Sequence, residues 1–124
     1  MVLSEDQFLY LETTGWKTRM RHRIEIWFVE REGKYYIMSE GRERAHWVRN
    51  IMHDSKISFN VGGEAFAGTG RVVEIKDPAA AEVKKLMKGK YGWDEGLIVE
   101  LAPAAGHARN RVRSGVRQGF GDGD

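Results

Sequence analysis

The sequence contains no cysteine and only two prolines among its 124 residues. Without cysteine there is no disulfide framework, no thiolate metal site and no cysteine nucleophile. No apolar run approaches the roughly 20 residues that a membrane-spanning helix needs. The first six residues lack the basic and apolar regions of a secretion signal. The net charge is only +2, so the chain as a whole is not strongly basic. We therefore expect a cytoplasmic protein without a membrane span.

The composition fits one folded domain followed by a polar tail. Hydrophobic residues make up 41% of the chain and charged residues 31%, as in ordinary globular proteins. From Ala102 onward the sequence is rich in Ala, Gly and Arg and has few large apolar residues, so it can bury little surface. We predict a single domain over residues 1–102 and a flexible Arg- and Gly-rich tail over residues 103–124.

Alternating apolar residues predict strands in both halves of the chain, including an unbroken strand from Ile24 to Val29. Helical spacing occurs over residues 44–53 and again after residue 77. The predicted order is β-β-β-α-β-β-α-β. Gly68 and Gly70 lie inside a long predicted strand, where glycine marks bends. The pattern predicts a mainly β fold with two helices, in which six antiparallel strands form a small closed or split barrel.

The turn over residues 13–19, Thr-Thr-Gly-Trp-Lys-Thr-Arg, is the first candidate binding site. Gly15 permits a left-handed backbone, which would let successive N–H groups converge. The threonine hydroxyls, Lys17 and Arg19 suit a phosphate or a string of carboxylates, because charge-assisted hydrogen bonds to anions are strong. The same residues also fit an ordinary polar turn with solvated cations, which the local pattern alone favours.

A second candidate site is the segment from Ser39 to Gly41 and the helix that follows it. A strand-to-helix turn with glycine exposes helix N–H groups to an anion or to the polar edge of a ring. Trp47, early in that helix, can form a wall for a flat aromatic ring, and Asn50 on the same helix is a further candidate cofactor-binding residue. In the alternative interpretation Trp47 is a core residue and Asn50 caps a local turn, and the local pattern alone favours that interpretation.

Other chemistries find little support in the sequence. Of the four histidines, His46 and His53 could share a helix face, but neither has a close Asp, Glu or His partner at metal-ligand spacing, so we expect no metal site. No nucleophile elbow, phosphate-binding loop or Rossmann fingerprint occurs. Nucleic-acid binding through the tail stays a third alternative, because four arginines there could contact phosphates: Arg109, Arg111, Arg113 and Arg117. The tail lacks interleaved aromatic residues, so we do not expect nucleic acid as a partner.

Three segments together resemble a known family. The order and spacing of these segments are similar to those of the deazaflavin-dependent nitroreductase/quinone reductase family. The segments are Leu11–Thr18, Arg23–Val29 and Trp47–Ile51, with Asp54 three residues after the last of them. That family belongs to the split β-barrel superfamily, which also contains pyridoxamine-phosphate oxidase and other FMN-binding proteins. The resemblance covers residues 9–75 well and 76–102 loosely. It implies an FMN-binding-like split barrel, usually dimeric, that binds the deazaflavin coenzyme F420.

The resemblance also assigns roles to residues of the first turn. In the family, a Thr-Thr-Gly-Arg-Lys-Ser/Thr-Gly loop holds the phosphate and acidic tail of the coenzyme. Thr14, Lys17 and Thr18 match that loop. Trp16 stands where the family usually has Arg, and Arg19 where it usually has Gly. Arginines in or after the turn are the candidates to replace the missing charge: Arg19, Arg21 and Arg23.

The resemblance also assigns residues to the ring system of the coenzyme. Ser39 and Trp47 match family positions near the ring, and we expect Ile26 to help fix it. FMN-binding relatives commonly carry Lys or Arg at the position of Trp47, which favours deazaflavin over FMN. Tyr91 is a candidate general acid, because the family often places tyrosines near the end of this helix. The alternative for Tyr91 is a surface aromatic residue at the helix terminus.

The resemblance implies an oxidoreductase. We expect hydride transfer between the reduced deazaflavin and a small organic acceptor, such as a quinone or a nitro compound, by a homodimer. The alternatives are an FMN-dependent oxidoreductase and a split barrel that binds flavin or haem without catalysis.

Overall fold

The computed structural model describes residues 7–104, and within this range the chain is mainly a single antiparallel sheet. Its strands are β1 (Phe8–Thr14), β2 (Arg21–Trp27), β3 (Val29–Arg31), β4 (Lys34–Ser39), β5 (Lys56–Val61), β6 (Glu64–Val73) and β7 (Leu97–Pro103). The helices are α1 (His46–His53) and α2 (Pro78–Tyr91), with a short 3-10 turn over Arg42–Arg44. The seven strands lie in the order β2-β1-β5-β6-β7-β4-β3. This half-barrel confirms a mainly β fold with two helices.

The prediction of six strands is wrong, because the second predicted strand is broken at Phe28. The Phe28 N–H donates to the Tyr91 hydroxyl at 3.1 Å, and the Phe28 carbonyl accepts from that hydroxyl at 2.9 Å and from Lys90 Nζ at 3.0 Å. Because these side chains form hydrogen bonds with the backbone N–H and carbonyl of Phe28, the strand is interrupted at this residue. Before the break β2 pairs with β1, and after it β3 pairs with β4. The partners lie 62 and 63 residues away, which local periodicity does not reveal.

Apolar clusters cover both faces of β4, where every residue from Tyr35 to Ser39 is buried. Because side chains alternate along a strand, Tyr35 and Ile37 join one cluster while Tyr36 and Met38 join the other. The first cluster includes residues of α1, and the second includes residues of α2. Full burial of one such side chain stabilises the fold by about 1.5–3 kcal/mol. The two helices are therefore anchored to opposite faces of the sheet.

Helix α2 begins where the sequence predicts, at Asp77 and Pro78, and it ends at Tyr91. The Asp77 side chain accepts from the Ala79 N–H at 2.9 Å, Pro78 occupies the first turn, and Gly92 ends the helix in a left-handed conformation with φ 74°. Strand β7 continues to Pro103, one residue beyond the predicted domain boundary. The rest of the predicted tail, residues 105–124, lies outside the described residues. Neither described helix has the length and apolar character needed to cross a bilayer.

Candidate functional site

An open cleft of about 590 Å³ lies where β2 and β4 end and α1 begins. This volume is within the range of about 300–1,000 Å³ that is usual for small-molecule sites. The lining is largely apolar and aromatic, with two carboxylates and a hydroxyl: Phe8, Glu25, Ile26, Trp27, Met38, Ser39, Glu40, Gly41, Ala45, Trp47 and Trp93. Such a lining suits a flat, uncharged ring system.

Three of the predicted coenzyme-binding residues line this cleft: Ile26, Ser39 and Trp47. Trp47 lies in the first turn of α1, and Val48 and Ile51 bury the side of the helix that faces the core. The Ser39 hydroxyl donates to the Arg42 carbonyl at 3.1 Å, which fixes the bend out of β4. No Lys, Arg or His is among the cleft residues in the described part of the chain. Nor do three or more His, Asp or Glu side chains of residues 7–104 converge on a metal position.

The loop between β1 and β2 lies at the other end of this hairpin. Phe8 pairs with Trp27 at the cleft end, and Thr14 pairs with Arg21 at the loop end. Six residue steps along an extended strand correspond to about 20 Å. The structure therefore separates the two candidate sites, and the loop does not line the cleft.

The turn is shorter than predicted and has a different left-handed residue. Thr13 and Thr14 belong to β1, because they pair with residues of β2. The loop is closed by hydrogen bonds from Gly15 N–H to the Met20 carbonyl at 2.7 Å and from Arg19 N–H to the Gly15 carbonyl at 2.8 Å. The expectation that Gly15 supplies the left-handed conformation is wrong: Arg19 adopts it, with φ 64°. Gly15 is buried against Thr18 instead, where a Cβ atom would lie 2.6 Å from the hydroxyl.

Arg21 is held within the sheet. Its guanidinium donates to the Thr14 hydroxyl at 2.9 Å and to the Ser58 hydroxyl at 2.9 Å, and it pairs with Glu12 at 3.4 Å. Arg23 lies over the ring of Tyr10, 4.6 Å from its centroid. These contacts hold the side chains of Arg21 and Arg23 against the strands and not inside the loop. Their expected role in replacing the missing loop charge stays a prediction.

Lys17 is the loop cation with the fewest competing partners. Arg19 pairs with Asp54 at 3.7 Å, although it is largely exposed. Lys17 Nζ lies 4.9 Å from the centroid of the Trp16 ring. Within residues 7–104, no carboxylate lies within ion-pair distance of Lys17. Its ammonium group is therefore accessible to an anionic ligand.

Trp16 contacts the end of α1. Its ring stacks on His53, with centroids 4.4 Å apart and planes within 6°. His53 is the last residue of α1, so this stack places the loop against the end of the helix. The substitution of Trp for the usual Arg thus exchanges a cation for an aromatic contact between loop and helix.

Asn50 connects α1 to the same loop from inside the fold. It is only 4% exposed. Its Nδ2 donates to the Thr13 hydroxyl at 3.0 Å, and its Oδ1 accepts from the Trp16 N–H at 3.1 Å. Along α1, Trp47 faces the cleft and His53 contacts the loop, a span of about 9 Å at 1.5 Å per residue. The helix therefore bridges the cleft and the loop.

Tyr91, the candidate general acid, does not line the cleft. Its hydroxyl contacts the backbone of Phe28 and the Gln7 carbonyl, the latter at 2.7 Å. Burial raises the pKa of Tyr91 above its ordinary value, and the hydrogen bond with the Phe28 backbone only partly offsets this. The ring of Tyr91 stacks on Trp27, with centroids 4.4 Å apart.

The aromatic wall of the cleft was not predicted from the sequence. Trp27 ends β2, Phe8 begins β1, and Trp93 follows α2. Trp27 and Trp93 meet edge to face, with ring centroids 6.1 Å apart. One local signal was present, since Gly92 ends α2 and turns the chain directly into Trp93. Its meeting with Trp27 depends on tertiary structure.

Comparison with known proteins identifies the family. Residues 2–93 match the family described as F420H(2)-dependent quinone reductase. The structure is similar to an F420-H2 dependent reductase, FDR-A, at 22% identity and a TM-score of 0.64, over 82% of this chain and 97% of that chain. It is similar to the heme storage protein HutZ from Vibrio cholerae at 16% identity and a TM-score of 0.67, over 81% and 83% of the two chains.

A third similar structure is described as a domain-swapped dimer, with 21% identity, a TM-score of 0.61 and coverage of 76% and 78%. At these identities the solved structures show the split-barrel-like fold alone. No curated protein gives a significant match to the sequence. The family match covers most of the chain, and the coenzyme of that family is the deazaflavin F420. The chain therefore belongs to the F420H(2)-dependent quinone reductase family.

Proposed function

We propose that this protein transfers a hydride between F420 and a small, flat organic acceptor of the quinone or nitro-compound type, bound in the aromatic cleft. The observation that carries the proposal is the placement of two complementary regions on one hairpin. A cleft to which residues 7–104 contribute no cationic side chain lies at one end, and a loop with the accessible Lys17 lies at the other. Helix α1 connects them through Trp47 and Asn50.

The donor set of the loop fits the anionic end of such a coenzyme. The hydroxyl of Thr14 accepts from Arg21 and that of Thr18 accepts from the Met20 N–H, so each hydroxyl proton is left to donate. Together with Lys17, they provide one charge and two donors for phosphate or carboxylate oxygens. We assign the anionic tail to these residues and to the adjacent Trp16 and Arg19.

The cleft fits the ring system. Trp47 and Ile26 provide apolar surface, and Ser39 lies at the bend beside them. No cationic side chain of the described cleft is placed to hold an FMN phosphate, which supports deazaflavin over FMN. Both polar atoms of the buried Asn50 side chain already have partners, Thr13 and Trp16, so we assign it to fixing the loop and not to contact with the ring.

In this proposal the protein binds, orients and excludes water. When bound, the reduced coenzyme supplies the hydride. Transfer requires reacting atoms held about 3–3.5 Å apart, which the chain achieves by positioning rather than by a nucleophile. Trp47 is fixed by α1, whose buried Val48 and Ile51 anchor it to the core. The apolar walls of the cleft limit water around the reacting atoms.

We also propose that the protein is a cytoplasmic homodimer. The outer face of the β1–β2 hairpin exposes Phe8 (41%), Tyr10 (38%) and Trp27 (37%), and β2 is an edge strand. A second copy would cover the unpaired edge and part of this aromatic surface, so that the cleft, which Phe8 and Trp27 line, would lie at the interface between the two copies. The similar structure described as a domain-swapped dimer supports this arrangement. The absence of cysteine agrees with a reducing compartment.

Titration of the purified protein with F420 and with FMN tests the coenzyme assignment. We expect tighter binding of F420, and a Kd about 5- to 30-fold higher in Lys17→Ala, because one charge-assisted contact is lost. Lys85→Ala, an exposed lysine of α2, is the matched control and leaves the Kd unchanged. Oxidation of the reduced coenzyme by a quinone, followed by absorbance, tests the reaction. Tighter FMN binding, or bound coenzyme that no quinone or nitro compound oxidises, contradicts the proposal.

A further inference from the structure

The hydroxyl of Tyr91 is committed to the protein backbone. It accepts from the Phe28 N–H at 3.1 Å and lies 2.9 Å from the Phe28 carbonyl and 2.7 Å from the Gln7 carbonyl. A phenol has one proton to donate, and here two carbonyl oxygens compete for it. Lys90 Nζ donates to the same Phe28 carbonyl at 3.0 Å and lies 4.0 Å from the centroid of the Phe28 ring. The end of α2 therefore clamps Phe28 through two side chains.

The ring of Tyr91 supports one wall of the cleft. It stacks on Trp27 with planes within 6°, so it covers one face of that indole. Trp27 lines the cleft and contacts the edge of Trp93, which also lines it. Trp27 directly precedes Phe28, so the backbone clamp and the ring stack act on adjacent residues. Both contacts restrict the orientation of the same indole.

We propose that Tyr91 is a positioning residue that fixes Trp27 in the cleft wall, by clamping the backbone at Phe28 and by stacking on the indole. This inference rests on the proposed function, because it takes the cleft to be a ligand site. A general acid must reach the reacting atoms with its proton, whereas this hydroxyl faces backbone carbonyls. A tyrosine hydroxyl is already protonated at neutral pH, and burial, which raises the pKa of Tyr91, extends that state to higher pH, so the hydroxyl can donate to the carbonyls.

The first test needs no ligand. We expect the Trp27–Trp93 pair, with ring centroids 6.1 Å apart, to give an exciton signal in circular dichroism, which Trp93→Phe should identify by abolishing it. Tyr91→Leu removes the ring stack and the hydrogen bonds of Tyr91 to Phe28, while Lys90 stays in place, and we expect it to lower that signal at least twofold. Tyr36→Phe, which removes a hydroxyl bonded to Glu100, is the control and leaves the signal unchanged. An unchanged signal in Tyr91→Leu overturns the proposal.

The second test separates positioning from acid catalysis through Tyr91→Phe, which keeps the ring and removes the hydroxyl. We expect kcat within about threefold of the wild type, an unchanged pH profile of kcat, and a KM for the acceptor raised a few-fold. A general acid predicts instead a kcat loss of about 10²- to 10⁴-fold with an altered pH profile, which would overturn the proposal. If the wild type neither binds nor oxidises the coenzyme, the proposed function fails, while the circular dichroism test still decides the role of Tyr91.

Discussion

Asn50, on α1, accepts a hydrogen bond from the backbone N–H of Trp16 at 3.1 Å and so joins the helix beside the cleft to the loop that carries Lys17. The same side chain donates to the buried Thr13 hydroxyl. Trp47, which lines the cleft, lies one turn earlier on this helix. The two regions of the candidate site are thus joined by one helix and its hydrogen bonds to the loop.

The Asn50 contact predicts a linked loss of stability and binding. Asn50→Leu leaves the Trp16 N–H and the Thr13 hydroxyl without their partner, and we expect the free energy of unfolding to fall by about 2 kcal/mol. The Kd for F420 should rise at least fivefold because the loop is no longer fixed. Urea denaturation and coenzyme titration measure these effects, with the exposed Met52→Leu as control on the same helix. A stability loss without a change in Kd would show that Asn50 does not position the loop.

Arg19 is predicted to carry backbone strain. A left-handed conformation costs a residue with a side chain about 1–2 kcal/mol, and Arg19 adopts it where the family usually has glycine. We expect Arg19→Gly to raise the free energy of unfolding by up to about 1 kcal/mol, despite losing the exposed ion pair with Asp54. Arg19→Ala, which loses the charge but keeps the strain, should not stabilise the protein. Equal effects of the two substitutions in thermal or urea unfolding would exclude strain as the cause.

The sequence was sufficient to predict most elements of the fold but not the break at Phe28. Alternation identified the strands because burial on a sheet face repeats every two residues. The second predicted strand is interrupted by hydrogen bonds of Tyr91 and Lys90, at the end of α2, with the backbone of Phe28. A local sequence pattern cannot predict hydrogen bonds between residues so far apart in the chain. The strand count was therefore one too low.

The candidate site, like the fold, could be predicted from the sequence only in part. The order of the motifs pointed to Lys17 in the loop and to Trp47 in the helix, and the structure places them in an exposed loop and in the cleft, respectively. Their separation could not be read from the sequence, because it depends on the register of the β1–β2 hairpin. The aromatic wall also escaped prediction, since Trp27 and Trp93 are brought together only by the packing of α2.

Trp47 provides a further test of the cleft as the ring site. An indole that packs against a flat ring contributes about 1–3 kcal/mol to binding when compared with alanine. We expect Trp47→Ala to raise the Kd for F420 about tenfold, and Trp47→Phe to raise it less, because the benzyl ring keeps part of the contact. Fluorescence titration of both variants measures the difference. Wild-type affinity in Trp47→Ala would place the ring elsewhere.

Glu100 is a buried carboxylate that joins three strands on the face covered by α2. Its oxygens accept from Arg71 Nε at 2.9 Å and from the Tyr36 hydroxyl at 3.0 Å, and Lys34 Nζ lies 3.8 Å away. Burial is the largest single influence on the pKa of Glu100, and it raises this pKa because it opposes ionisation. The hydrogen bonds from Arg71 and Tyr36 and the nearby positive charges together outweigh it, so the pKa of Glu100 lies below its ordinary value of 4.5.

This lowered pKa predicts a stability contribution that depends on pH. A carboxyl whose pKa is lower in the folded state than in the unfolded state stabilises the fold above its unfolded pKa, and that contribution disappears as the pH falls through the folded pKa. We expect Glu100→Gln to lower the free energy of unfolding by about 2 kcal/mol at neutral pH, because a charge-assisted network is lost. The difference from the wild type should shrink steadily below the ordinary pKa of 4.5. Urea denaturation across this range measures it, with the exposed Glu82→Gln as control. A difference that stays constant down to the most acidic pH would mean that the charge of Glu100 does not stabilise the fold.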